Sequence, residues 1–409
     1  MKIVKGAESL FEQLKLWRRY LHEHPELSFQ EVETARFVAN ELAKIHNVFV
    51  ETNIGGNGVV ATLTTGTGPT IALRADMDAL PIQEENDHSF VSKHDGVMHA
   101  CGHDAHTSML LGAVHLLAEQ FERGELSGTV KFIFQPAEES TDEHGLSGAP
   151  YMIQDGAIDD VDAIVALHVC PWHPVGVIQM NNGYSMANVD VFEATLRGTG
   201  GHGGYPHLGT DPLWMLGTIL QTFYGTVGRR ISPLDIVAAS IGKIEAGAVS
   251  NVIPSEVTIE GTLRTYSPEA RERLAQEVEN VFKLAETFGG SYEFYLEKGE
   301  PALNNNMEVN MLIEQAVKEL YPDMHIHWEP FGMAGEDFGY MTEKIPGSMF
   351  FLGCSLEDGL DRDLHTPIFD IDENCLPIGT AIFVATVNKF LKSEESKNPM
   401  NGNNILRGA

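Results

Sequence analysis

Residues 104–134 read DAHTSMLLGAVHLLAEQFERGELSGTVKFIF, and two patterns follow one another in this stretch. From Asp104 to about Phe121 the apolar residues recur at the spacing of one face of a helix. They are Met109, Leu110, Ala113, Leu116 and Leu117. From Thr129 to Phe134 a short apolar run follows a glycine-containing turn, which indicates a buried strand. The stretch therefore predicts a helix that leads into a strand.

The same alternation extends in both directions along the chain. Amphipathic helices are predicted over about 9–25 and 29–45. Further buried strands are predicted at Val59–Leu63, Thr70–Leu73 and Ala163–Leu167. The pattern returns near the carboxyl terminus with Glu308–Leu320, Met349–Leu352 and Ile378–Leu391. Buried strands that alternate with helices predict an α/β fold with a mostly parallel sheet.

The stretch between these two regions has a different order of elements. It reads as strand, helix, two strands, helix and strand, at 189–196, 211–228, 235–244, 256–264, 268–288 and 291–297. Asp211-Pro212 and Ser267-Pro268 each supply an N-cap followed by a proline at the first helical position. This β-α-β-β-α-β order predicts a ferredoxin-like insertion. We therefore predict a discontinuous catalytic domain over 1–186 and 302–392, an inserted domain over 187–301 and a disordered tail over 393–409.

Length and charge limit the class of protein. A chain of 409 residues exceeds the size at which one core usually stops growing, so two domains are expected. Lysine and arginine number 27 against 58 aspartate and glutamate residues, a formal charge of -31. Such an acidic surface repels nucleic-acid phosphates and anionic lipids, so we expect neither as a partner. A small anionic substrate would need a local positive centre.

The cysteines and the lengths of the apolar runs indicate in which cellular compartment the protein is expected. The four cysteines, Cys101, Cys170, Cys354 and Cys375, are few and irregularly spaced, which predicts reduced thiols in a cytoplasmic protein. Residues 1–11 have no long apolar core, so no signal peptide is expected. No run reaches the roughly 18 apolar residues of a membrane span.

Polar residues with metal-binding side chains follow the predicted strands. Arg74 to Asp78 follow one strand, Gln135 to Glu139 follow another, and His168 ends a third. The stretch His99 to His106 precedes the helix described above. Because ligands bind at the carboxyl ends of strands in open α/β sheets, these segments are expected to converge on one crevice.

The side chains in that crevice suit transition metals. Cysteine, histidine and carboxylate together favour Zn²⁺, Mn²⁺, Co²⁺ or Ni²⁺ over Ca²⁺ and Mg²⁺. Taken singly, each residue has another explanation. Cys101 can be a buried structural thiol, Glu138-Glu139 a solvated pair, and His168 a hydrogen-bonded core residue. Their coincidence at one edge of a sheet favours a metal site.

Nine stretches together resemble one family of two-metal metallopeptidases. They are Trp17–Ser28, Arg74–Pro81, His99–His106, Gln135–Glu139, Gly200–Gly204, Ser250–Pro254, Gly261–Arg264, Gly335–Phe338 and His365–Pro367. The family contains aminoacylases, hippurate hydrolases and auxin-conjugate amidohydrolases, within the carboxypeptidase G-like clan. The stretches occur in order over about residues 8 to 391. They are specific for the family and do not specify the substrate.

The resemblance implies two divalent transition-metal ions per chain. It assigns Cys101 as the ligand that bridges them. His103 and His168 would complete one metal site, and Glu139 and His365 the other. Distant members of the clan use a bridging aspartate and a histidine in the first motif. This chain has Cys101 and Asp76 at those positions, so Asp76 is not assigned as a ligand.

The resemblance also implies the catalytic and substrate-binding residues. Glu138 would act as the general base on a water held between the metals, and Asp78 would be a carboxylate that orients the metal ligands without binding a metal itself. His202, in a glycine-flanked loop of the inserted domain, would stabilise the oxyanion at the neighbouring subunit's site in a homodimer. Asn251 and Arg264 would bind the substrate, with Arg264 on its carboxylate.

The predicted function is hydrolysis of the amide bond of N-acyl-L-amino acids or of short peptides with a free carboxylate. An alternative within the class is deacetylation of N-acetyl-diaminopimelate. An alternative from another class is an inactive relative that binds a ligand through the same crevice. Since Glu138 and all five proposed metal ligands are present in the sequence, the active enzyme is favoured.

Overall fold

A computed structural model of the chain describes residues 2–393, which form two compact units. The first unit comprises the residues up to Gly183, Asn304–Phe331 and those from Tyr340 on. The second comprises Tyr184–Leu303 and Gly332–Gly339. The predicted tail, 393–409, lies outside the described residues except for Ser393.

The helices and strands are numbered in chain order. The helices are α1 Lys2–Ser9, α2 Phe11–Glu23, α3 Val32–Leu42, α4 His103–Glu122, α5 Gly148–Gln154, α6 Pro212–Arg230, α7 Pro268–Phe282, α8 Leu284–Thr287, α9 Met307–Leu320, α10 Phe338–Thr342 and α11 Cys375–Lys392. The strands are β1 Phe49–Ile54, β2 Gly58–Thr64, β3 Thr70–Asp76, β4 Thr129–Gln135, β5 Ala163–Pro174, β6 Val177–Met180, β7 Gly183–Tyr184, β8 Asp190–Arg197, β9 Gly201–His202, β10 Val237–Ala246, β11 Val252–Ile253, β12 Glu256–Thr265, β13 Ser291–Lys298, β14 Asn304–Asn305, β15 His325–Trp328 and β16 Gly347–Ser355.

The first unit is built on a mixed sheet of eight strands in the order β1-β2-β4-β3-β5-β16-β6-β15. Its centre, β4-β3-β5-β16, is parallel throughout. Strand β3 is buried along nearly its whole length, which explains its continuous apolar sequence. This large sheet with helices confirms the predicted α/β fold class.

Helices α4, α9 and α11 belong to the main core of this unit. Helix α11 contacts α4, α9 and α1. Within the described residues, α11 is the one helix long and apolar enough to cross a membrane, but 67% of it is buried inside the protein. It is therefore explained as a core helix. Gly112 of α4 permits close packing, because a Cβ there would lie 2.7 Å from Leu14 Cδ2.

The second unit has an antiparallel sheet in the order β10-β12-β8-β13, against which α6 and α7 pack. Numbered within the unit, the strands run 2-3-1-4, the order of a ferredoxin-like β-α-β-β-α-β unit. The two helix starts follow the predicted caps. Asp211 accepts hydrogen bonds from the backbone of Leu213 and Trp214, and Ser267 accepts one from Ala270.

Some elements differ from the sequence-based prediction. The helix predicted over about 9–25 is Phe11–Glu23, preceded by the separate helix α1. The helix predicted over 268–288 is divided into α7 and α8. Strands β1, β6 and β15 of the large sheet and helices α5 and α10 were not predicted. Strands β1 and β15 lie at the two edges of that sheet, where pairing on one side only weakens the apolar pattern, and β6, next to β15, has only four residues.

Candidate metal centre and active site

The site forms where the parallel strands β3 and β4 end side by side, next to the middle of β5. Strands β4, β3 and β5 are neighbours, and Asp76 at the end of β3 is paired with Gln135 at the end of β4. Residues 136–139 continue from β4, and His168 lies within β5. The sheet thus brings the predicted polar segments to one edge, as parallel order requires.

The turn before α4 positions Cys101 and His103. Gly102 between them has φ 93°, in the left-handed region that favours glycine. A Cβ at this position would lie 2.3 Å from Val169 Cγ2 on β5, so a larger residue does not fit. Gly102 thereby allows the cysteine and the histidine to lie against the middle of β5. Both Cys101 and His103 are buried.

The first group of possible ligands comprises Cys101, His103 and His168. Their ligand atoms all lie within 4.8 Å of one another. The Cys101 Sγ atom is 3.4 Å from His168 Nε2. Each of the three residues is buried, so the group can enclose an ion away from solvent.

The second group comprises Cys101, Glu139 and His365, again with ligand atoms within 4.8 Å of one another. Glu139 Oε1 is 3.3 Å from His365 Nε2. His365 has φ 60°, a rare conformation for a residue with a side chain, and its N–H donates to Ala100 O at 2.8 Å. Such strain is typical of functional positions. Cys101 belongs to both groups.

The hydrogen bonds around these groups suit metal ligation. His168 Nδ1 bonds to the Val169 carbonyl at 2.7 Å, and His103 Nδ1 bonds to the Asp78 carbonyl at 2.9 Å. Both bonds place the ring proton on Nδ1, which leaves the Nε2 lone pairs available. His103 Nε2 and Glu139 Oε1 are buried and make no hydrogen bond. The residues therefore fit two divalent transition-metal ions.

The charges of the cluster also favour cations. Although burial opposes protonation of His103, the nearby carboxylates Asp76 and Asp78 raise its pKa to about 10. Burial, together with the charges of Glu139 and Glu138, raises the pKa of the Cys101 thiol well above its usual value. Both shifts reflect an excess of negative charge. Bound divalent ions would balance that charge and stabilise the thiolate.

Asp78 connects the two groups without joining either. Its Oδ1 lies 3.2 Å from His103 Nδ1, and its Oδ2 accepts bonds from Glu139 N at 2.9 Å and Ser28 Oγ at 2.7 Å. One carboxylate thus orients a histidine of the first group and the backbone of a ligand in the second. These contacts are compatible with the supporting role predicted for Asp78, which stays a prediction.

The side chains of Asp76 and His106 already make hydrogen bonds to each other and to neighbouring residues. His106 Nδ1 bonds to Asp76 Oδ1 at 2.6 Å, and His106 Nε2 accepts the Val169 N–H at 2.9 Å. The other Asp76 oxygen accepts a bond from Arg74 at 2.6 Å. Although Asp76, His103 and His106 cluster closely, His106 has no free nitrogen for an ion.

Glu138 lies outside the two groups that share Cys101, although it forms a further possible ligand group with His103 and Glu139. Its Oε2 atom is 4.0 Å from His103 Nε2. The preceding Ala137 has φ 50°, and its N–H donates to the buried Glu31 carboxylate at 2.7 Å. This fixed turn separates the two adjacent glutamates, so that Glu139 meets Cys101 and His365. The role of Glu138 as a general base stays a prediction.

The three candidate residues of the inserted domain lie in the second unit. His202 on β9 is exposed and is paired with Val252 on β11. The Gly203 N–H donates to Asn251 O at 2.9 Å, so the loops that carry His202 and Asn251 are held together. Arg264, near the end of β12, is partly buried, and its Nε donates to Thr262 Oγ1 at 3.2 Å.

Comparison with known proteins decides the family. Residues 72–389 match Peptidase family M20/M25/M40. The chain belongs to this family. The match includes all five proposed metal ligands and Glu138.

Individual M20 relatives match over almost the whole chain. N-acetylcysteine deacetylase of Bacillus subtilis is 39% identical over 369 residues, or 90% of this chain and 93% of the relative. IAA-amino acid hydrolase ILR1-like 2 of Arabidopsis thaliana is 36% identical over 409 residues, or 98% and 91%. A solved dinuclear metal-binding M20 peptidase from Bacillus subtilis has a TM-score of 0.81 at 35% identity and covers 94% of this chain and 99% of its own.

Membership of family M20 makes the chain a metal-dependent amidohydrolase. The two groups that share Cys101, together with the dinuclear relative, support two metal ions per chain. The identity of the metals is not determined by these residues, since Zn²⁺, Mn²⁺, Co²⁺ and Ni²⁺ all accept this donor set.

Sequence reasoning missed the role of Glu31. Its Oε1 accepts N–H bonds from Ala137 and Phe29, and its Oε2 accepts one from Asn57. Glu31 is fully buried, which is unusual for a glutamate and indicates a specific role. The only sequence signal was its position three residues beyond the stretch Trp17–Ser28, which carried the resemblance.

Proposed function

We propose that the protein hydrolyses the amide bond of N-acyl-L-amino acids, or of short peptides with a free carboxylate. The observation that carries the proposal is the pair of ligand groups that share Cys101, with Glu138 beside them and outside both. Relatives named as an N-acetylcysteine deacetylase and an IAA-amino acid hydrolase support this substrate class.

The residues divide the chemistry among them. Bound at the two groups, divalent ions would polarise the amide carbonyl and lower the pKa of the attacking water. Glu138 accepts the proton of that water on its carboxylate and delivers it to the departing nitrogen. Asp78 keeps the Nδ1 proton of His103 in place throughout, so that the ligand nitrogen stays available.

We assign substrate recognition to the second unit. Arg264 would bind the substrate carboxylate through its guanidinium, and Asn251 would make a further polar contact. His202 would donate a hydrogen bond to the oxyanion that develops during attack. The exposure of His202 in a glycine-flanked loop supports this role, because its ring is free to approach a ligand.

We further propose a homodimer in which His202 serves the partner's site. Strand β10 lies at the edge of the second unit's sheet and is mostly exposed, with Ile244 among its exposed residues. An exposed edge strand with apolar side chains is suited to pairing with a second copy. A cytoplasmic location completes the proposal, and the four buried, unpaired cysteines support it.

The substrate class is tested by assaying the metal-loaded protein on a panel. The panel contains N-acetyl and N-benzoyl amino acids, dipeptides, N-acetyl-diaminopimelate and matched substrates whose carboxylate is converted to an amide. We expect hydrolysis of N-acyl amino acids, and much weaker activity on the amidated versions because Arg264 loses its anion. Equal rates with and without the carboxylate would contradict the role of Arg264. A preference for N-acetyl-diaminopimelate would select the alternative function.

The shared-site proposal predicts complementation between two inactive variants. Mixing His202→Ala chains with Glu138→Ala chains should restore activity, because one site of each heterodimer combines an intact base with an intact oxyanion donor. Random exchange makes about half of the molecules heterodimers with one good site each, so activity should approach roughly a quarter of wild type. Steady-state rates of the mixture measure this recovery.

Different affinity tags on the two chains confirm that subunits have exchanged. His207→Ala serves as the matched control, since His207 lies in the same loop region and has no proposed role. Its chains should be active without mixing. Proven exchange with no recovery would mean that His202 acts within its own subunit or not at all.

A further inference from the structure

A second cluster of ligand-type side chains lies in the first unit, outside the two groups that share Cys101. It comprises His22 on α2 with Glu84 and His88 on the segment that follows β3. Their ligand atoms lie within 4.8 Å of one another. The side chains of His22, Glu84 and His88 are only 0%, 3% and 17% exposed. We propose that these three residues bind a third divalent transition-metal ion.

Two of the three separations between the ligand atoms are close to those around one ion. His22 Nε2 lies 3.2 Å from Glu84 Oε1, and His88 Nε2 lies 3.3 Å from the same oxygen. Ligand atoms about 2.1 Å from a tetrahedral ion lie about 3.4 Å apart. Two histidines and a glutamate form a donor set that Zn²⁺ accepts.

The surroundings orient the ligands. His22 Nδ1 bonds to Asp104 Oδ2 at 2.9 Å, which leaves its Nε2 lone pair for an ion. Glu84 Oε1 accepts a bond from Asn86 at 3.0 Å, and its Oε2 accepts the Ser92 N–H at 2.6 Å. A histidine backed by a carboxylate and a hydrogen-bonded carboxylate ligand are common features of protein metal sites.

The cluster has a simpler explanation than a bound ion, namely that His22 is protonated. The surroundings of His88 favour the ion. Burial lowers the pKa of His22, but Asp104 and Glu84 raise it to about 9, so an imidazolium could by itself satisfy both carboxylates. In that arrangement the nearest polar atom recorded for His88 is Glu84 Oε1, 3.3 Å from its Nε2. Both of its ring nitrogens are shielded from solvent and make no hydrogen bond, although Nε2 is close to Glu84. A bound ion would lie to one side of the line from His88 Nε2 to Glu84 Oε1. The lone pairs of both atoms would then point at the ion and not at each other.

The charged side chains around the cluster carry a net negative charge that a cation would offset. The buried Arg18 guanidinium contacts three carboxylates, those of Asp104, Asp370 and Glu373. Glu84 adds a fourth negative charge nearby. Arg19 pairs with Glu373 and adds a second positive charge. A divalent ion at Glu84 would offset the remaining negative charge.

The position of the cluster gives the third ion a structural purpose. Asp104, which bonds to His22, directly follows the ligand His103. The Glu85 N–H, next to Glu84, donates to Pro367 O at 2.9 Å, two residues beyond His365. An ion held by His22 and Glu84 would therefore brace one residue of each catalytic ligand group.

Zinc counting tests the proposal on the full-length chain. The protein is stripped with chelator, reloaded with ZnCl₂, freed of excess zinc and measured by plasma mass spectrometry. We expect three zinc ions per wild-type chain and two for His88→Ala. His94→Ala should keep all three, because His94 lies in the same segment but bonds to the Pro25 carbonyl instead.

The Cys101→Ser background isolates the third site. That variant should retain one zinc ion, which raises its melting temperature, and adding His88→Ala should abolish both the ion and the shift. Since His88 lies in a segment without helix or strand, its replacement is expected to preserve the fold, and circular dichroism checks this. Equal zinc content and equal melting shifts with and without His88 would overturn the proposal and favour the protonated His22.

Discussion

Glu138→Ala is expected to retain both catalytic metal ions and to lower kcat by about 100-fold or more, as loss of a general base does. Glu138 lies outside the two groups that share Cys101, and its Oε2 atom is 4.0 Å from His103 Nε2. It also forms a possible ligand group with His103 and Glu139, so metal content decides between a base and a ligand. Metal analysis of the purified variant, together with steady-state kinetics on an N-acyl amino acid, measures both parts of the prediction.

Glu139→Ala is the matched control, because it removes the same side chain one residue later. Glu139 Oε1 lies 3.3 Å from His365 Nε2 and makes no hydrogen bond. This variant should lose one metal as well as activity. If Glu138→Ala instead lost metal and Glu139→Ala kept it, the roles of the two glutamates would be reversed.

Cys101→Ser is expected to lower the affinity of the protein for both catalytic metal ions together. Its Sγ atom is common to the two groups, whereas His168 and His365 each belong to one. Loss of an indirect supporting residue typically costs 10–100-fold in metal affinity, so loss of a shared direct ligand should cost more than about 100-fold for each ion. Competition with a chromophoric chelator gives the two affinities.

Two variants make this result specific. Cys354→Ser replaces another fully buried cysteine and should keep both metals, which controls for burying a hydroxyl. His168→Ala should lower the affinity for one ion more than the affinity for the other. Unequal losses in Cys101→Ser, with one affinity unchanged, would mean that the sulfur serves a single ion.

The central strands were predictable from sequence because both of their faces are buried. Strand β3 and the strands beside it therefore appear as nearly continuous apolar runs. Strand β1 is mostly exposed at the sheet edge, so its sequence FVETNI gives no such run. Helix α1 contains Gly6, a poor helix former. Its formation depends on packing, since Gly6 lies close against Leu116 of α4.

Several candidate metal donors were visible in the sequence from their places beside predicted elements. Glu139 follows β4, His168 ends the predicted strand Ala163–Leu167, and Cys101 and His103 precede the predicted helix. His365 was assigned only through the resemblance.

The residues that support these donors were not visible in the sequence. Glu31 reaches the Ala137 N–H across 106 residues, and Asp76 meets His106 across 30. Such contacts leave no local pattern. Spacing alone also could not separate Glu138 from Glu139. That distinction rested on the resemblance and stays a prediction, because both glutamates form a possible ligand group with His103.

The most direct test of the central claim is anomalous diffraction at the zinc edge from crystals of the zinc-loaded protein. The account predicts two peaks on either side of Cys101 Sγ. One should lie among Cys101, His103 and His168, and the other among Cys101, Glu139 and His365. A single peak at this cluster, or two peaks of which one does not contact Cys101, would contradict it.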